Sequence, residues 1–181
     1  MKRIFPISAY MVSAVLMTFY ILVLWDARTP DVNMVYRLYY INHELEKWPG
    51  PDGFDYVVGT PVFMCQEQRR CGSGWEDRNG MGSRLSGEGA WIYFDGLPEG
   101  ELRLAIVIDN AGEENVLTAS SNREALPLTM EKGWEGGEKR QLWTAPIKAE
   151  DGEISLFIKD TGDVWVKEIM IDEAGESLSG K

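Results

Sequence analysis

The chain has 181 residues, room for one domain and an anchor, and carries 18 Lys and Arg against 29 Asp and Glu, a net charge of −11. An acidic surface of this kind repels nucleic acid and anionic headgroups, which argues against a nucleic-acid-binding protein and favours basic partners or cations. The apolar fraction is an ordinary 44%, but it is unevenly spread.

Residues 4–25 read IFPISAYMVSAVLMTFYILVLW, without a charge. As a helix this run is about 33 Å long, enough to cross a hydrocarbon core of about 30 Å. Pro6 falls in the first turn, where its missing N–H costs least. Aromatic residues lie near both ends, as suits interfacial anchoring. A cleaved signal peptide has a shorter apolar region, about 7–15 residues, followed by a small-residue cleavage site; neither is present, so an uncleaved single-pass anchor is expected. Lys2 and Arg3 precede the helix, whereas Asp26, Arg28 and Asp31 follow it. The positive-inside bias therefore places the N-terminus in the cytoplasm and the rest on the periplasmic or extracellular side. Without Lys2 and Arg3, that exported part holds 16 basic and 29 acidic residues, a charge of −13. The helix lacks His and charged residues, so it offers no haem ligand and no ion path. Ala9 and Ser13 form a small-xxx-small pair that permits close helix packing; an ordinary lipid-facing helix is the equal alternative.

A membrane-proximal segment and linker is expected over 26–53. Val35, Leu38, Ile41, Leu45 and Trp48 fall at helical spacing, although VYRLYYI is also rich in strand formers; a helix close to the membrane is preferred. WPGPDG at 48–53 breaks the chain. A β-sandwich domain is expected over 54–175, with a tail at 176–181. FDYVVG and TPVFMC suggest short strands. Cys65 and Cys71, in CQEQRRC, are too few ligands for structural zinc; in an exported domain they suggest a disulfide, stabilising by about 2.4 kcal/mol on the chain-entropy model. The glycine-rich stretch 72–89 is expected to be loop. From there the alternation is clear: AWIYFDGL, ELRLAIVIDN, ENVLTAS, ALPLTME, RQLWTAPI, EISLFIKD and VWVKEIMIDE, separated by polar turns. This pattern predicts a mainly β fold, an antiparallel β-sandwich behind one transmembrane helix.

Within residues 88–173, the run WIYFDGLPEGELRLAIVIDN, the strand DGEISLFIKD and the closing strand VWVKEIMIDE resemble the β-jelly-roll of galactose-binding-like domains and carbohydrate-binding modules. The resemblance covers about half the chain. It implies sugar binding through exposed aromatics, with Trp75, Trp134 and Trp143 as the loop-borne candidates, and structural calcium. Five tryptophans in a small β-domain more often serve a core or interface. For calcium, Asp109, Asn110, Glu113 and Glu114 offer oxygen ligands in one loop and Asp160 and Asp163 in another, without EF-hand spacing. Acidic turns of this kind are common, so no cofactor or metal is assigned.

Catalytic chemistry has little to draw on. The one histidine, His43, lies in the membrane-proximal segment, and no nucleophile elbow, P-loop, dinucleotide fingerprint or H-E-x-x-H is present. The chain is therefore expected not to be an enzyme. The preferred expectation is a non-catalytic accessory subunit of a larger membrane complex, of which a photosynthetic or respiratory assembly is an example. Its partners are then other membrane subunits and the bilayer. The alternative is a membrane-tethered, lectin-like module that binds glycans.

Overall fold

The computed structural model describes residues 4–28, 32–45, 47–50, 52–109, 116–121, 126–134, 140–162 and 164–174. The chain divides into two compact units, one ending at Asn33 and one beginning at Met34.

The first unit is the helix α1 (Ile4–Ala27), long and apolar enough to span a membrane. None of its residues from Ser8 to Ala27 is buried within the structure. The Thr18 hydroxyl donates to the Ala14 carbonyl at 2.9 Å, which satisfies its polar group within the helix. Ala9 and Ser13 lie one turn apart on the same exposed face.

In the second unit, a short helix α2 (Met34–Tyr36) runs into a π-helical turn (Arg37–Ile41). The strands follow: β1 (Val62–Phe63), β2 (Trp75–Asn79), β3 (Gly82–Leu85), β4 (Ala90–Phe94), β5 (Glu101–Asp109), β6 (Leu117–Ser121), β7 (Leu126–Pro127), β8 (Glu131–Trp134), β9 (Arg140–Lys148), β10 (Ile154–Asp160) and β11 (Trp165–Glu173). They form two antiparallel sheets. One runs β2-β3-β11-β5-β9-β8, with β1 also on β11; the other runs β4-β10-β6-β7. Their inner faces enclose one core, so the unit is a β-sandwich.

The alternation predicts which residues turn inward. Leu102, Leu104, Ile106 and Ile108 of β5 meet Ile154, Leu156 and Ile158 of β10, all 2% exposed or less. β11 breaks strict alternation. A bulge at Lys167 lets Val166 and Ile169 both reach the core although they are three residues apart. The bulge frees the Lys167 carbonyl to accept the Met64 N–H at 2.9 Å, which docks β1.

The stretch 72–89, expected to be loop, contains the β2–β3 hairpin. Its glycines permit close approach as well as turning. Gly82 has φ +139°, and a Cβ there would lie 2.1 Å from the Val166 carbonyl, so only glycine lets β3 pair with β11.

The segment 34–45 packs into the second unit. Met34, Val35, Leu38 and Leu45 are buried against Phe54 and Tyr93, on the outer face of β4. Of the residues at helical spacing, Ile41 and Trp48 remain exposed; the helical run ends at Ile41. Arg37 forms an ion pair with Glu153, fastening the segment to the start of β10.

Candidate functional site

The candidate site lies on the outer face of β4, where the connecting segments meet. β4 sends Ile92 and Phe94 to the core and Trp91 and Tyr93 outward. The free edge of β4 is closed by two stretches of chain. The Gly72 and Tyr93 N–H groups donate to the Trp91 and Arg70 carbonyls, and the Trp91 N–H donates to the Ser73 carbonyl, each at 2.9 Å. Farther along, the Tyr56 N–H donates to the Asp95 carbonyl at 2.9 Å. These bonds cap an edge that would otherwise be open to association.

Glu67 organises the first of these stretches. Its Oε1 accepts the Arg69 and Arg70 N–H groups at 2.7 and 3.1 Å, and its Oε2 pairs with Arg70 at 3.2 Å. Arg70 is buried; it also donates to the Asp55 carbonyl and lies over the Tyr56 ring. The Glu67 carbonyl accepts from the Arg78 guanidinium and, at 3.6 Å, from the Cys71 thiol. Cys65 and Cys71 are not joined in the structure. Cys71 is turned toward that carbonyl, and burial pushes its pKa up to about 12 despite the opposing influence of Arg78.

Two recesses adjoin at Ser73. The larger is a cleft of about 740 Å³ between the 42–45 segment and β4. Asn42, His43, Glu44 and Leu45 form one wall; Trp91, Tyr93, Ser73 and Ser155 form the other. The Trp91 and Tyr93 rings are nearly parallel, 6° apart in plane with centroids separated by 6.3 Å. Tyr93 is buried beneath the segment, while Trp91 is partly buried against the same cluster. An amide, an imidazole, a carboxylate and three hydroxyls thus share the cleft with an indole, the Tyr93 hydroxyl donating to Glu44 Oε2 at 3.4 Å.

His43 adopts φ +57°. Its backbone closes the helical run: the Glu44 N–H reaches the Leu38 carbonyl and the Asn42 N–H reaches the Arg37 carbonyl, both at 2.9 Å. This left-handed closing position favours glycine or asparagine. Here it carries the chain's one histidine, beside Trp91.

The smaller recess, about 400 Å³, is lined by Lys47, Arg69 and Arg78 together with Trp48, Trp75 and the 71–74 backbone. The indole N–H of Trp75 donates to the Trp91 carbonyl at 2.6 Å, linking the two recesses. Gly74 has φ +90°, and a Cβ would fall 1.9 Å from the Gly89 carbonyl, so glycine is required where the two chains cross.

Of the aromatic candidates read from sequence, Trp75 lines this recess. Trp143 is buried in the core, its indole N–H on Gln141 at 3.2 Å, so its ring is closed to a ligand. The Trp134 side chain lies outside the described residues. Trp91, Trp48 and His43 supply the remaining rings; at Trp91 the outward phase of AWIYF was the available signal. For calcium, Asn110, Glu113, Glu114 and Asp163 lie outside the described residues. Asp160 is buried, with Oδ2 accepting the Gly162 N–H at 2.8 Å. Among the described residues, no group of three or more His, Cys, Asp or Glu side chains converges as a metal site.

No protein-family model, curated protein or solved structure matches the chain.

Proposed function

We propose that this chain is a membrane-tethered binding protein whose β-sandwich takes a glycan in the cleft at Trp91. The carrying observation is the partly buried Trp91 indole, which lines one cleft together with Asn42, His43, Glu44, Ser73 and Ser155. A sugar ring presents an apolar face that stacks on an indole and a rim of hydroxyls that need donors and acceptors; this wall supplies both. The side chains serve as binding groups, and no catalytic step belongs to the reading. The positive-inside bias puts the cleft on the outer side of the membrane, where surface glycans are found. In that oxidising space, the Cys65 and Cys71 thiols would close to a disulfide once Cys71 turned from the Glu67 carbonyl.

A glycan array probed with the full chain in lipid nanodiscs tests the reading. Retention of a defined set of oligosaccharides, lost in Trp91→Ala, is the expected result. An array on which the intact chain retains nothing removes it.

A second reading, an accessory subunit of a membrane complex, rests on a different surface. Tyr36, Tyr40, Ile41 and Trp48 are each about half exposed, with Tyr36–Tyr40 and Tyr40–Trp48 centroids at 4.8 and 5.8 Å. Such an aromatic patch is the composition of a protein interface. Co-purification of a stoichiometric membrane partner in mild detergent, lost in Tyr40→Ser, supports it; a monodisperse monomer opposes it.

A further inference from the structure

The charge distribution of the chain gives the smaller recess a meaning that its size alone does not. The protein carries a net −11, yet Lys47, Arg69 and Arg78 converge on one recess with no carboxylate among its described lining residues. The cations have different local partners. Arg78 is held by the Glu67 carbonyl, a neutral acceptor. Arg69 meets Asp52 at 3.5 Å, but both side chains are at least half exposed, a pair too weak to cancel the local charge. The nearby Glu67 carboxylate is engaged by the buried Arg70. The recess therefore keeps unneutralised positive charge in a molecule whose overall field is negative.

Trp48 and Trp75 line the same recess, and it joins the Trp91 cleft through Ser73. A ring-borne anion suits this combination, because indoles receive the ring while guanidinium forks bind planar or tetrahedral anions by paired hydrogen bonds. We propose that this recess is an anion subsite that selects oligosaccharides carrying a carboxylate or sulfate on the sugar ring. The inference rests on the glycan reading of the Trp91 cleft and adds the charge class of the ligand. A sugar seated on Trp91 places its neighbour toward Ser73, and the anionic substituent of that neighbour meets Lys47, Arg69 and Arg78.

Matched oligosaccharides differing only in a neutral hydroxymethyl, a carboxylate or a sulfate, presented to the full chain in nanodiscs, test this. The anionic forms should bind about tenfold more tightly than the neutral one. Raising salt from about 0.05 to 0.5 M should erase most of that margin. The double variant Lys47→Gln/Arg69→Gln, at exposed positions, should lose the preference and keep neutral binding; Arg78→Gln, which also removes a donor to the Glu67 carbonyl, should lose the preference. The carboxylate and sulfate arms separate uronate from sulfated ligands. Equal wild-type affinity for neutral and anionic forms overturns the subsite and leaves the cleft standing. An anionic preference unchanged in both cation variants also overturns it. Anionic binding that survives Trp91→Ala but is lost in the cation variants keeps the subsite and removes the cleft reading. Binding of no form overturns both.

Discussion

The Tyr56 hydroxyl accepts the Ile171 backbone N–H at 2.9 Å, joining residues 115 positions apart toward the C-terminal end of β11. The same hydroxyl donates to the Thr60 carbonyl at 2.5 Å, so one phenol fastens the 56–60 turn to the sheet. Burial, the main cause, raises the phenol pKa, with the Asp172 charge adding to the shift and the Ile171 hydrogen bond opposing it. Tyr56→Phe would preserve the ring contact with Phe94 and leave a buried N–H without its acceptor. The expected loss is about 1–3 kcal/mol, read from the urea midpoint at unchanged m-value.

The folded unit begins at Met34, upstream of the break in WPGPDG. A chain starting at Met34 should fold and remain in solution. One starting at Pro49 strips Met34, Val35, Leu38 and Leu45 from Phe54 and Tyr93 and should show reduced thermal stability or aggregation. In the full chain, Leu38→Ala should cost about 2–5 kcal/mol, because Leu38 is 1% exposed. Circular dichroism melts of the three proteins check this.

His43 sits where a left-handed backbone closes the helical run, at a cost of about 1 kcal/mol relative to glycine. His43→Gly should therefore stabilise the domain by about 0.5–1 kcal/mol while weakening ligand retention. Denaturant unfolding and glycan binding, measured on the same variant, should move in opposite directions.

The Cys71 thiol imposes a defined pH dependence under reducing conditions. Its folded pKa of about 12 lies above the unfolded value of roughly 8.5. Below the unfolded value, both states hold the proton and stability is unaffected. Above it, only the unfolded chain releases the proton, so stability falls as pH rises, by about 1.4 kcal/mol per unit in the limiting slope. Urea unfolding at pH 8 and pH 10 should show a decline in the wild type relative to Cys71→Ala. Alkylation of Cys71 at neutral pH should be slow for the same reason.

The long apolar helix and the inward faces of β5 and β10 were legible because hydrophobic period and length are local properties. The glycine-rich hairpin was not: Gly82 reads as a turn residue, and only the passing Val166 carbonyl reveals its packing role. The apolar spacing of the 34–45 segment does not say which surface it covers, and only Phe54 and Tyr93 reveal its packing partner. The site depended on long-range pairing. Trp91 lies within a strand and His43 in a segment far from it in sequence, and they share one cleft because Met34, Val35, Leu38 and Leu45 pack that segment onto Phe54 and Tyr93 at the outer face of β4. Trp143, by contrast, turns into the core beside Gln141, an orientation fixed by the phase of β9.

The most direct test of a glycan cleft at Trp91 is carbene footprinting of the full chain in nanodiscs, with and without an oligosaccharide retained on the array. Protection concentrated at residues 42–45, Ser73 and Trp91 is the predicted result. Saturating ligand that leaves these positions as reactive as before, and protects another surface, would contradict it.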